Sequence, residues 1–199
     1  MSGTLCTFPP LHTPQMEVEF DAVSLQLYLG VMEKANTLQD FIDSISNKIE
    51  NNRIKSHLHN FLQRTQEIDQ FYNLANQNCS PRFTFQQGQD QNGNPQIFQY
   101  FIRKMQLGSH YCLYISIPAN HPLYGRPYEE MQEATYSRVD EEDPSRWVFG
   151  WDYTHAGMLT LTSIYHYYAA NPAALLDMQI ITNDVITEDI NQYMHILAG

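Results

Sequence analysis

The chain has 199 residues, of which 43% are hydrophobic and 13% aromatic, enough apolar surface to build a core without disulfide or metal staples and too much for a disordered chain. Twenty-two Asp and Glu stand against 11 Lys and Arg, a formal net charge of −11. No Lys/Arg cluster is present to neutralise phosphates, which disfavours direct nucleic-acid binding; acidity of this kind serves solubility first, and secondly a surface able to dock on a basic partner.

Cys6, Cys79 and Cys112 are odd in number and too widely spaced for a metal knuckle. With no signal-peptide pattern and no apolar run of membrane-spanning length, the reading is a soluble, cytoplasmic protein with free thiols and no membrane partner.

In chain order, Pro9, Pro10 and Pro14 predict an irregular arm over residues 1–16. From Phe20 the spacing of Val23, Leu27 and Val31 predicts a first helix with Asp21 as its cap. Thr37 caps a second run through Leu38, Phe41, Ile42, Ile45 and Ile49, with Asp40 placed to favour the helix dipole. Asn51-Asn52 ends or bends it, and Ile54, Leu58, Phe61, Leu62, Ile68, Phe71 and Leu74 carry a third helical stripe. After Pro81 the pattern becomes that of strands. Phe83–Phe85 and Ile97–Ile102 flank Asn92-Gly93-Asn94-Pro95, hairpin chemistry. Tyr111–Ile117 forms a strand stopped by Pro118, and Arg146–Trp151 a further one, with a helical turn between them at Tyr128–Glu133. An amphipathic closing helix is predicted from about Pro172 to Leu197. The fold class is α+β: an antiparallel sheet covered by helices, preceded by a mainly helical N-terminal half. Residues 1–78 form the arm and helical region, and residues 79–199 the α+β domain with a polar site borne on loops.

The polar site is read from three short elements: His121-Pro122-Leu123-Tyr124-Gly125, then Thr135-Tyr136-Ser137, then Gly150-Trp151-Asp152-Tyr153-Thr154-His155-Ala156-Gly157. In this order, followed by an amphipathic helix, they resemble a family of uncharacterised bacteriophage and large-DNA-virus proteins over about residues 108–197. The family pattern carries Gly-Gly before the TYS element and an Asp after the HxG of the last block. This chain has Glu133-Ala134 and Met158 in those places, and Met158 removes a carboxylate from the block.

Two functions follow. The first is a viral accessory protein that binds a host protein or small ligand, a nucleotide among the options, to counter host defence, without a cofactor and with homo-oligomerisation through the N-terminal helices. Its ligand-binding residues are His121, Tyr124, Thr135, Tyr136, Ser137, Asp152 and His155. The second is a hydrolase or phosphodiesterase using a divalent metal and acting on a nucleotide. There His121, Asp152 and His155 are ligands or acid/base groups, Thr135 and Ser137 hold phosphate, and His110 or His166 is a further possible ligand. In the structural reading of the same residues, Asp152 caps its own loop, His155 fills a buried position beside Tyr124 or Tyr136, and Tyr124 anchors its loop. Cys112 is read as a small buried hydrophobe, His57 and His59 as surface residues, and Tyr165–Tyr168 as the wall of a core.

Overall fold

The computed structural model describes residues 37–89, 92–105, 110–155 and 157–198. The N-terminal arm and the helix expected from Phe20 lie outside these residues. Helix α1 (Leu38–Ser46) starts where Thr37 Oγ1 accepts the Asp40 amide at 3.1 Å. Helix α2 (Asn52–Phe71) restarts after a break, with Asn51 Oδ1 accepting the Arg53 amide at 2.9 Å. Both starts follow from side-chain oxygens that satisfy amides with no partner in the first turn.

Five antiparallel strands follow: β1 (Phe83–Gln89), β2 (Pro95–Lys104), β3 (Tyr111–Pro118), β4 (Tyr136–Val139) and β5 (Arg146–Asp152). Their order across the sheet is β1-β2-β3-β5-β4. The β1–β2 hairpin closes through Gly93 at φ +80°, a backbone angle that glycine takes without strain. Strand β3 is central and buried on both faces from Tyr111 to Ile117, which is why its sequence runs almost continuously apolar. The threonine, tyrosine and serine of the TYS element are those of an edge strand and its approach.

Alternation along the strands divides the sheet into two faces. On one, Phe98, Ile102, Leu113, Ile115, Phe149 and Trp151 form the main core with Ile68 and Tyr72 at the end of α2. Helix α4 (Asn183–Ala198) closes this face with Ile186, Ile190, Tyr193 and Leu197, and the Tyr193 ring stacks on Trp151 at 4.2 Å. Phe101, Cys112, Tyr114 and Val148 form a smaller cluster on the other face.

A second core joins α1 and the first half of α2 to Leu159, Leu161, Ile164, Tyr165 and Leu175. The chain therefore does not divide into cores at residue 78, because residues 159–175 pack on residues 41–62. The closing helix also begins later than its apolar spacing predicts. Pro172–Asp177 is a separate 3-10 segment, and α4 starts at Asn183. Helix α3 (Leu161–Tyr168), which absorbs the Tyr165–Tyr168 run, starts with a reciprocal cap: Ser163 N donates to Thr160 Oγ1 at 3.1 Å and Thr160 N to Ser163 Oγ at 2.8 Å. Among the described residues no helix is long and apolar enough to cross a membrane.

Candidate functional site

The seven residues proposed from sequence fall at two ends of the sheet. Cys112 pairs with Asp152 at one end and Pro118 with Arg146 at the other. Six residue steps at the rise of a strand place these ends about 20 Å apart. His121 and Tyr124 follow the Pro118 end, whereas Thr135, Asp152 and His155 occupy the Asp152 end. The convergence of His121 with Asp152 and His155, which the hydrolase reading requires, does not occur.

His121 is a structural pin. Its ring is buried, its Nδ1 accepts the Leu123 amide at 3.1 Å, and its Nε2 donates to the Leu197 carbonyl at 2.8 Å. Acceptance at Nδ1 fixes the neutral tautomer with the proton on Nε2. Burial lowers its pKa, against the opposing effect of the Leu197 hydrogen bond. The ring meets Phe98 edge-on at 5.6 Å, so this histidine ties the HPLYG turn to the end of α4. Tyr124 anchors the same turn by donating to the Pro144 carbonyl at 3.1 Å.

At the opposite end, Asp152 is half-buried and Thr154 closes on one of its oxygens. The Thr154 amide donates to Asp152 Oδ1 at 3.0 Å, and the Thr154 hydroxyl reaches the same atom. This is a local carboxylate turn of the kind expected from the structural reading. Burial raises the Asp152 pKa, but the Thr154 hydrogen bonds, the nearby His155 and Thr135 outweigh it and hold the carboxyl below its ordinary value. His155 is exposed, which corrects its expected place in a buried position beside Tyr124 or Tyr136. Thr135 donates its amide to the Gly150 carbonyl at 2.8 Å. Tyr136 and Ser137 alternate across β4: the Tyr136 ring meets Tyr114 edge-on at 6.0 Å, and Ser137 lies on the opposite face in register with Phe149.

Of the other histidines, His110 comes near Asp152, while His166 is exposed on α3, within the helical core region. Burial pushes the His110 imidazole down to about 4, with the Asp152 charge acting against it. His110 lines a cavity of about 20 Å³ with Thr65, Tyr111, Tyr153 and Thr160, room for one water with polar partners. Cys112 behaves as the sequence suggests: it is 5% exposed and burial drives its thiol up to about 12. His57 is half-buried, not a surface residue, with Nε2 3.2 Å from the Met178 carbonyl. His59 is exposed. Among the described residues no three His, Cys, Asp or Glu side chains are grouped to hold a metal ion.

Glu133 and Met158, the two positions that differ from the pattern the chain resembles, each have a local role. Glu133 takes φ +56°, the left-handed region that a glycine occupies without strain, and its carboxylate accepts the Tyr193 hydroxyl at 3.1 Å. Met158 packs half-buried against the main core, so this position serves packing here.

An extensive buried polar cluster lies at the β4–β5 turn, outside the residues expected from sequence to form a site. Asp140, 1% exposed, accepts Arg82 Nη1 at 2.6 Å, Arg82 Nη2 at 2.8 Å, the Ser116 hydroxyl at 2.8 Å and the Glu142 amide at 3.1 Å. Arg146 donates to Ser116 Oγ at 2.9 Å, to the Ser116 carbonyl at 2.7 Å and to the Ile97 carbonyl at 2.9 Å. The cluster locks the β4–β5 turn onto β1, β2 and β3. Its only sequence trace is a pair of arginines flanking strands and an acidic turn, a pattern shared with exposed hairpins.

Residues 126–199 hold 12 acidic against 3 basic residues, so most of the net charge lies in the C-terminal 74 residues, with Asp140, Glu141, Glu142 and Asp143 in the turn before Arg146. Comparison of the chain with protein families, curated proteins and solved structures gives no match.

Proposed function

We propose that the protein acts by binding and not by turnover, as a viral accessory protein that engages a host protein or small ligand to counter a host process such as antiviral defence. The viral role follows from the motif resemblance. The observation that carries the binding reading is the engagement of both His121 ring nitrogens by backbone at the far end of the sheet from Asp152. A histidine so held offers no lone pair to a metal and no proton to a substrate. What remains at the Asp152 end is an ionised carboxylate beside the exposed His155. A rim of this kind suits a cationic or hydrogen-bond-donating group on a partner.

The test uses purified full chain and a panel of mononucleotides and dinucleotides with Mg²⁺, Mn²⁺ or Zn²⁺. The expected result is no product from any nucleotide, and saturable binding of a Lys/Arg-rich peptide by calorimetry that is weakened by added salt and by the double substitution Asp152→Ala/His155→Ala. Metal-dependent hydrolysis by the wild type that disappears in Asp152→Asn overturns the binding reading and restores the hydrolase.

A further inference from the structure

The two edges of the sheet are guarded unequally. An edge strand offers a row of unpaired amides and carbonyls, and proteins blunt that offer with charge, proline, shortness or a bulge. Strand β4 is four residues long, contains Arg138 and runs into Asp140, Glu141, Glu142 and Asp143. Strand β1 is seven residues long and reads Phe-Thr-Phe-Gln-Gln-Gly-Gln, without a charge or a proline. Its bulge falls between Gln86 and Gln89, leaving Phe83–Gln86 regular. Among the described residues the only strand paired with β1 is β2.

We infer that the outer edge of β1 is a self-association surface, occupied by β1 of a second copy in antiparallel pairing about Thr84. Two features select a second copy. The first is charge: in a chain of net charge −11, β1 brings no carboxylate opposite another, so two copies meet there with little repulsion. Arg82, at its start, is already closed by Asp140 and Glu142. The second is an aromatic stripe that reaches the edge. Phe83 stacks on Tyr100 at 5.0 Å and Phe85 on Phe98 at 5.3 Å, and both phenylalanines are only partly buried. A two-fold axis normal to the sheet keeps each copy's faces aligned only if residues of the same parity pair. With Thr84 opposite Thr84, Phe83 of each copy lies opposite Phe85 of the other. The stripe then continues across the junction, and cross-strand aromatic and Thr–Thr pairs are favourable ones.

The contact is small, so the dimer is weak and concentration-dependent, and screening of the acidic surfaces by salt strengthens it. The test is sedimentation equilibrium of the full chain at about 1–500 µM, at low and high salt, with far-UV circular dichroism to check folding. The expected mass approaches twice the 23.2 kDa of the chain at the upper concentrations. Thr84 is exposed, so Thr84→Lys and Thr84→Asp retain the fold. Each alone weakens the dimer by ~tenfold or more, because like charges meet across the axis, and mixing the two variants restores it. A wild type that stays monomeric throughout, or a dimer that neither substitution weakens, overturns the assignment; the second result moves the contact elsewhere, for instance to the N-terminal helices.

Discussion

Substituting Asp140 by alanine measures what the buried polar cluster contributes. The carboxylate is the acceptor of four hydrogen bonds, two of them from Arg82. Its loss leaves the Ser116 hydroxyl dependent on Arg146 alone and leaves Arg82 with Glu142 at 2.8 Å and Gln99 at 3.4 Å. Breaking a buried pair by removing one partner costs about 3–5 kcal/mol. The Arg82 side chain is 18% exposed and keeps one carboxylate, so the lower end applies, about 3 kcal/mol. With a urea slope of about 2 kcal/mol/M the unfolding midpoint falls by about 1.5 M. Replacing both partners by apolar residues, Arg82→Met with Asp140→Leu, recovers much of that loss, because no charge is then stranded. Burial raises the Asp140 pKa, but the Arg82 and Ser116 hydrogen bonds outweigh it and hold the carboxyl below its ordinary value. The Asp140 contribution is therefore fully present above the unfolded pKa of about 4 and is lost as pH falls through the lower folded value. Asp140→Asn should accordingly show a shallower acid destabilisation. A loss under about 1 kcal/mol for Asp140→Ala, or strict additivity of Arg82→Met and Asp140→Ala, refutes the coupled cluster.

Other substitutions test other parts of the reasoning. His110 is held neutral with a folded pKa of about 4, below its ordinary 6.5, so the unfolded chain takes up the proton first. Stability then falls as pH drops from about 6.5 to 4, by about 1–2 kcal/mol once the partial exposure of the ring is discounted, and His110→Gln flattens that part of the profile in urea titrations. A Cβ at Gly150 would lie 2.8 Å from Tyr114 Cε1 and 3.3 Å from Tyr136 Cβ, so Gly150→Ala should cost about 1–3 kcal/mol and alter the near-UV circular dichroism. At position 133 the left-handed backbone makes Glu133→Ala less stable than Glu133→Gly by about 1 kcal/mol; equal thermal midpoints for the two refute the strain. In the folded protein Cys79 should react with a thiol reagent well before Cys112, whose thiol is buried and driven up to about 12.

The elements legible in the sequence are those whose signal is local. Thr37 caps α1 and the Asn51-Asn52 pair marks the break before α2, because a side-chain oxygen two or three residues ahead of an amide is a short-range device. Asn92-Gly93-Asn94-Pro95 marks the hairpin for the same reason. What the sequence concealed depends on distant partners. Thr160 and Ser163 form a capping pair that opens α3, yet the helix has only eight residues and its apolar side chains are completed by α1 and α2, more than 90 residues earlier. The closing stripe from Pro172 to Leu197 is continuous in spacing but serves two cores. Leu175 faces the helical one and Ile186 to Leu197 the sheet, so the backbone breaks between them.

The candidate site shows the same limit in a sharper form. Loops that are neighbours in sequence leave opposite ends of a strand, so His121 and Asp152 are separated by the length of β3 and β5 although each belongs to a polar turn. Residue type alone does not reveal that His121 spends both nitrogens on backbone, since that depends on where α4 ends. Nor does it reveal that Asp140, one of four consecutive acids, is the member turned inward toward Arg82 and Ser116. The turn preference of Asp, Glu and Pro over residues 140–144 would be met equally by four exposed carboxylates. Burial of one of them requires a cation delivered by Arg82, 58 residues away and just ahead of β1, and a hydroxyl from the central strand. The acidic surface and the buried cluster thus draw on the same run of residues, and only the pairing of strands decides which carboxylate faces solvent and which is held inside.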